Sequence, residues 1–475
     1  MSQYRTTPDV ANGRQPMRAL PGEGADAAVR TPSASWWLIG AAATLLVSSA
    51  GVGYLLTAHG VHLHAGSLYP LDGRWLLHVT PWIAPAIAVA AAALVWSAQV
   101  FARVSWRVVP IVATLGAAAW ATALAVVSGP ASIAAPIATV PEYLHDVGRI
   151  RALGAGQFLR TFTDHVLATD AQPWTTHVAG HPPLVSLVFV GLSAAGLSAA
   201  GWAAALCVVV GASAAASVLS TVRILAGEAV ARRAAPFVVL APLALWIATS
   251  ADALFAGVAA AGLCAFAHAG AAQGRRSVAF AAVAGMLLGA CLFLSYGLVL
   301  LAPLVLAITV VQRRLGALAL AALAVVVVVA AFAAAGFVWW HGYAVTRVRV
   351  MQGTAYQQRP AAYFVFADPA VLAVMVGPAV IAALAMLRRA GWPPGLRPVP
   401  AAAVIAVAAA IASNLAKGEV ERIYLPFAVW LLPLTAMLPS VRADGFGRAG
   451  RPARGWLAAQ MSLTLVIALT TQLTW

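Results

Sequence analysis

The sequence predicts an all-α polytopic membrane protein, and three observations carry that prediction. Hydrophobic residues make up 62% of the chain and charged residues 9%, whereas soluble domains are near a quarter charged. A chain of 475 residues with that composition could not cover its surface with polar groups, a need that lipid removes because it is itself an apolar solvent. Apolar runs also recur along the chain at 36–57, 83–101, 107–128, 182–198, 200–222, 234–249, 251–270, 278–294, 297–312, 315–340, 368–387, 398–416, 423–440 and 456–474. They predict a helical bundle of about 13–14 transmembrane helices. The net charge of +15 sits largely in arginine clusters between these runs: Arg103 with Arg107, Arg275 with Arg276, Arg313 with Arg314, Arg388 with Arg389, and the 442–454 loop. That placement is the signature of cytoplasmic loops facing anionic lipid, not of a nucleic-acid surface.

Residues 1–35 are polar, with Arg5, Arg14, Arg18 and Arg30, and read as a disordered cytoplasmic tail. The run after Ser35 is too long for a signal-peptide core, so 36–475 is taken as one transmembrane domain. Two polar interruptions stand out: 129–181, a long outer loop after the third run, and 341–366, a second outer loop. Alternation from the arginine-rich loops puts both outside, together with 58–82, Ser250–Asp252 and 417–422. The forward and backward counts conflict across 182–233, because two crossings there would leave Arg232 and Arg233 outside. Either one run is re-entrant or 182–222 crosses once. The expected location is a bacterial plasma membrane, with the N-terminus cytoplasmic.

Cys207, Cys264 and Cys291 lie far apart inside apolar runs, which speaks against a zinc site or disulfide framework. The chemistry concentrates in four stretches. Glu142 and Asp146, if helical, lie one turn apart on one face. Like charges there raise each other's pKa, as suits a general base or cation site; the alternative is a solvated helix face. His177–Leu184 reads HVAGHPPL. Its paired prolines fit a helix start, and His181 is either a cap there or a ligand-binding residue. Lys417–Phe427 packs Lys417, Glu419, Glu421 and Arg422 into six residues between apolar runs. Charges at membrane depth are retained when paired or functional; a short loop with internal ion pairs is the competing reading. The 341–366 stretch carries Arg347, Arg349, Arg359 and Tyr363 and fits an interfacial helix with basic and aromatic anchors.

The order of these pieces resembles the GT-C superfamily of membrane glycosyltransferases, near the protein O-mannosyltransferase and aminoarabinose-transferase branch. The resemblance covers roughly 140–430. It rests on Glu142–Asp146, Phe158-Leu159-Arg160, Gly180–Leu184, Ala231–Leu254, Arg359-Pro360 with Tyr363-Phe364, and Lys417–Phe427. Two apolar runs precede the acidic loop beyond the family's usual one, and Glu142 and Asp146 stand nearest to its adjacent Asp-Glu pair. The resemblance implies inverting transfer of a sugar from a polyprenyl-phosphate donor to a glycan, lipid or protein acceptor on the non-cytoplasmic face. It implies Asp146, then Glu142, as the catalytic carboxylate, with Arg422, Lys417 and Arg359 for the phosphate, and His181, Glu419 and Asp252 as further substrate-binding residues. No resident cofactor is implied with certainty, though a divalent cation is compatible with the acidic loop. Membrane lipids are expected partners and nucleic acids are not. A transporter or lipid flippase is the alternative, since intramembrane charges and Gly/Pro-interrupted helices also mark transport sites. The long acidic loop and the lack of repeat symmetry favour the enzyme.

Overall fold

The structure is a computed structural model that describes residues 33–248, 250–387, 392–439 and 451–474. Most of the expected N-terminal tail, Arg388 with Arg389, and most of the 442–454 loop lie outside the described residues. Among the described residues, eight helices are long and apolar enough to cross a membrane: Ser33–Ala58, Ile83–Arg103, Val109–Ser128, Ala200–Ala226, Ala251–Ala271, Gly274–Leu294, Leu315–Ala334 and Ala361–Leu384. At 1.5 Å per residue each reaches the roughly 30 Å of a hydrocarbon core. Their outward faces are apolar: Leu323 is 61% and Leu115 65% exposed, a surface that lipid satisfies and water does not. The chain is therefore a multi-pass, all-α membrane protein.

Small residues let the helices approach. A Cβ on Gly257 would sit 2.0 Å from the Val210 carbonyl oxygen, and one on Gly285 would sit 2.2 Å from that of Ala321. The Ala200–Ala226, Ala251–Ala271, Gly274–Leu294 and Leu315–Ala334 helices thus pack backbone to backbone, because dispersion rather than the hydrophobic effect holds helices together in lipid.

Contacts sort the connections onto two ends of the bundle. At one end Arg232 donates to the carbonyls of Phe101 and Val104, Arg223 pairs with Glu228, and Arg233 donates to Leu438. At the other end Arg422 meets Asp252 and His177, Glu421 accepts from the Asp72 amide, and Arg359 binds the Leu63 carbonyl. The Leu184–Ala194 helix stays at this second end. Its 11 residues span only about 16 Å; His181 at its start contacts Leu294, and Ser193 near its finish accepts from Arg151 of the long loop. Residues 182–226 therefore cross once, through Ala200–Ala226, and Arg232 and Arg233 fall on the arginine-rich side. Five more apolar segments run between the same ends: 228–248, Tyr296–Gln312, Pro398–Ser413, Leu425–Met437 and Arg451–Thr470.

Two expectations need correction, and a third is met. The run at 234–249 is not one helix: Glu228–Val239 is followed by a 3-10 turn at Pro242–Trp246, where Pro242 cannot continue the ladder. The outer connection 341–366 is helical, as an interfacial helix requires, in Trp339–Gln352, Thr354–Gln358 and the first turn of Ala361–Leu384. Residues 129–181 are a folded cap of short α and 3-10 helices closed over Phe158, Phe162 and Trp174, all essentially buried. A two-stranded antiparallel ribbon, Gly73–Trp75 with Thr471–Leu473, ties the C-terminal segment to the same end.

Because Gly257 faces backbone carbonyl rather than a yielding side chain, Gly257→Val should destabilise the fold by about 1–3 kcal/mol. Thermal unfolding in detergent should show a lowered Tm, while the same change at Gly316, which meets nothing within 4 Å, should leave Tm nearly unchanged.

Candidate functional site

The two polar regions that the sequence separates by more than two hundred residues meet in one buried ionic network. Its centre is Arg422, carried on the short helix Val420–Ile423. Nη1 donates to Asp252 Oδ2 at 2.9 Å, and Nη2 reaches His177 Nε2 at 2.9 Å and Glu419 Oε2 at 3.2 Å. A guanidinium only donates, so His177 Nε2 is the acceptor and the ring proton lies on Nδ1. That nitrogen sits 2.9 Å from Glu142 Oε1. A continuous path thus runs from the cap carboxylate Glu142, through His177 and Arg422, to Asp252 at the start of the Ala251–Ala271 helix. Burial opposes the Arg422 charge, but Asp252, Glu419 and Glu142 together hold its pKa above the ordinary arginine value.

Local backbone places these groups. Gly418 and Glu419 are consecutive left-handed residues, with φ of 75° and 57°. A non-glycine residue there is strained, and the strain sets the Glu419 carboxylate between Arg422 and Arg359, whose Nη2 donates to Oε1 at 2.8 Å. Burial disfavours the Glu419 anion, yet Arg422 and Arg359 keep its pKa below the usual glutamate value. Ser250 caps the Asp252 helix by accepting from the Asp252 amide, and its hydroxyl donates to Asp252 Oδ2 at 3.0 Å.

The structure brings Glu142, Arg422, Glu419, Arg359, Lys417 and Asp252 together and divides their tasks. Arg359 donates to the carbonyls of Leu63, His64 and Lys417 as well as to Glu419, so it staples three loops. Lys417 donates to the carbonyls of Tyr356 and Arg359 and lies 4.0 Å from the Tyr356 ring centre; its charge is caged by dipoles and a π face.

Glu142 and Asp146 do not share a helical face. Glu142 is extended and precedes a single 3-10 turn, Tyr143–Asp146, and the two carboxylates grip different residues. Asp146 Oδ2 accepts from the Thr175 amide at 2.8 Å and hydroxyl at 2.9 Å, fixing the start of the Thr176–Gly180 helix that carries His177. His181 packs between Tyr143 and Phe255, and burial lowers its pKa to about 4, leaving it uncharged at neutral pH. Pro183 is the cap of the Leu184–Ala194 helix.

Glu421, one of the four charges of the Lys417–Phe427 stretch, also joins the cluster, and His177, Asp72 and Asp368 complete it without having been singled out from the sequence. Glu421 is 1% exposed and accepts from the Asp72 amide at 2.6 Å; burial pushes its carboxyl up to about 7. Asp368 is 2% exposed. A lone acid inside an apolar run was a usable signal for Asp368; nothing local marked Asp72. Among the described residues, no group of three or more His, Cys, Asp or Glu side chains could hold a metal ion.

Together the fold and this network define a polytopic helical membrane protein with a buried polar site at one end. No family model, curated protein or solved structure matches the chain.

Two outcomes follow from the network. Arg422→Ala leaves Asp252 buried without its cation and should cost about 3–5 kcal/mol, read as a large fall in Tm that Arg422→Ala with Asp252→Ala together partly restores. Glu421 has a folded pKa above its ordinary 4.5, so its contribution is fully present below that value and lost as pH rises through about 7. Tm of the wild type should fall between pH 5 and pH 8, and Glu421→Gln should flatten that fall.

Proposed function

We propose that the chain is a membrane glycosyltransferase of the GT-C kind, moving a sugar from a polyprenyl-phosphate donor to an acceptor on the non-cytoplasmic face with inversion. The observation that carries this reading is the Glu142–His177–Arg422 path. It sets a carboxylate and a cation on opposite sides of one histidine, at the bundle end away from the arginine-rich loops. A scaffold helix bundle has no need to bury six acids (Asp72, Glu142, Asp146, Asp252, Asp368 and Glu421) and three cations (Arg359, Lys417 and Arg422) there, given what each costs at membrane depth.

In this reading Glu142 takes the acceptor hydroxyl proton as that oxygen attacks the anomeric carbon. The bond from that carbon to the phosphate oxygen breaks, and the electron pair leaves with the lipid phosphate. Arg422 stabilises the phosphate. Glu419 is the most exposed partner of Arg422, with its side chain 27% accessible, so the donor phosphate reaches the guanidinium by displacing Glu419. Asp146, committed to Thr175, is a positioning residue that holds His177 and, through it, Glu142. Arg359 and Lys417 keep the 417–424 loop in place, and Asp252 fixes Arg422 from the side away from Glu419.

The test is release of free polyprenyl phosphate by purified protein given a panel of polyprenyl-phosphate sugars. Glu142→Gln should lower turnover by about 10²-fold or more while donor binding and Tm hold. Asp146→Asn should lower turnover less and lower Tm as well. No release with any donor, or full activity in Glu142→Gln, contradicts the assignment.

A further inference from the structure

A cleft of about 270 Å³ opens beside the ionic network, between the 124–139 turns and the C-terminal strand. Ser128, Ser132, Thr139, Thr471, Gln472 and Thr474 supply its polar lining, and no charged side chain lines it among the described residues. Both walls are bonded to the network. The Thr139 carbonyl accepts from the Glu142 amide at 3.0 Å, and the Thr474 amide donates to the Asp72 carbonyl at 3.2 Å, Asp72 in turn holding Glu421.

The hydroxyl protons of this lining point inward. Thr139 donates to the Pro136 carbonyl at 2.9 Å and Thr471 to that of Ile467 at 2.6 Å. Ser132 donates to the carbonyls of Ala125 and Gly129. His78 Nε2 lies 3.0 Å from the Thr471 carbonyl, which can only accept, so Nε2 bears a proton. The Ser128 hydroxyl lies 3.2 Å from His78 Nδ1. With the Thr139, Thr471 and Ser132 protons committed, those oxygens keep lone pairs for an incoming donor. An uncharged lining of hydroxyls and carbonyls suits a ligand rich in hydroxyl groups and offers an anion no cation.

We propose that this cleft binds the acceptor, and that the acceptor is an uncharged glycan. The inference rests on the transferase reading and deepens it: the anionic lipid-linked donor goes to Arg422, and the neutral polyol lies in the adjoining cleft with a hydroxyl directed toward Glu142. Gln472 holds Arg74 through its carbonyl oxygen, which leaves its amide protons as donors to a glycan ring or hydroxyl oxygen.

The experiment is isothermal titration of the full chain in lipid nanodiscs with methyl glycosides and short neutral oligosaccharides, and with a sugar phosphate as the anionic probe. Thr139→Phe and Ser128→Phe fill the cleft from two exposed positions on its 124–139 wall; a matching Tm shows that each is folded. At least one neutral glycan should bind saturably, each filled variant should bind it at least tenfold more weakly, and the sugar phosphate should not compete. Three results overturn the assignment: no neutral glycan bound by the wild type, binding unchanged in both folded variants, or equal binding of the sugar phosphate. Wild type that releases polyprenyl phosphate but binds no neutral glycan defeats the cleft and keeps the transferase. Wild type that binds neutral glycan in the cleft yet ignores every lipid-linked sugar keeps the cleft as a glycan site and defeats the transferase.

Discussion

The Arg422 guanidinium is 7% exposed at the edge of an apolar bundle, and the rest of this end of the molecule is arranged around it. A buried cation is tolerated only with close partners that also satisfy its geometry. Asp252 supplies one from a helix start, Glu419 another from a strained left-handed backbone, and His177 a third as a neutral acceptor. Each demand propagates. Glu419 needs Arg359 to hold its other oxygen, Arg359 needs the carbonyls of 63–64 and 417, and His177 needs Asp146 to seat its helix and Glu142 to face its ring proton. The cap, the 58–82 connection and the 417–424 loop are thereby joined.

That arrangement separates cations that build the site from the one that can act. Arg359 and Lys417 spend their protons on backbone carbonyls. Only Arg422 bridges the cap and the loop, and one of its acidic partners stands open to exchange. The acids divide likewise: Asp146 is consumed by Thr175, whereas Glu142 ends the path beside the neutral cleft. In the proposed reading an anion site and a hydroxyl site adjoin, as transfer between a charged donor and an uncharged acceptor demands.

The membrane fold was legible because lipid imposes it: apolar length and arginine placement are direct consequences of bilayer thickness and leaflet charge. The conflict at 182–233 arose because apolarity reports burial and not direction. Residues 182–198 are as apolar as a crossing helix, yet the helical part is 11 residues and lies against the cap. Of the site, the residues of the Lys417–Phe427 stretch were visible as charges that lipid does not tolerate idly. Their partners were not, because pairing across 245 residues, as for Arg422 with His177, or 349, as for Glu421 with Asp72, leaves no local trace. Spacing favoured His181 and Asp146 because prolines and a helical turn flanked them, and the fold instead turned His177 and Glu142 toward the cation.

The central claim is that Arg422 receives the donor phosphate while Glu142 faces the sugar. The most direct measurement is a structure of the chain in lipid with a non-transferable polyprenyl-phosphonate sugar. The account predicts the phosphonate within hydrogen-bonding distance of Arg422, Glu419 displaced from the guanidinium, and the sugar between Arg422 and Glu142 with its open face toward the Thr139 cleft. A phosphonate bound elsewhere, with the Arg422–Glu419 contact intact, would contradict it.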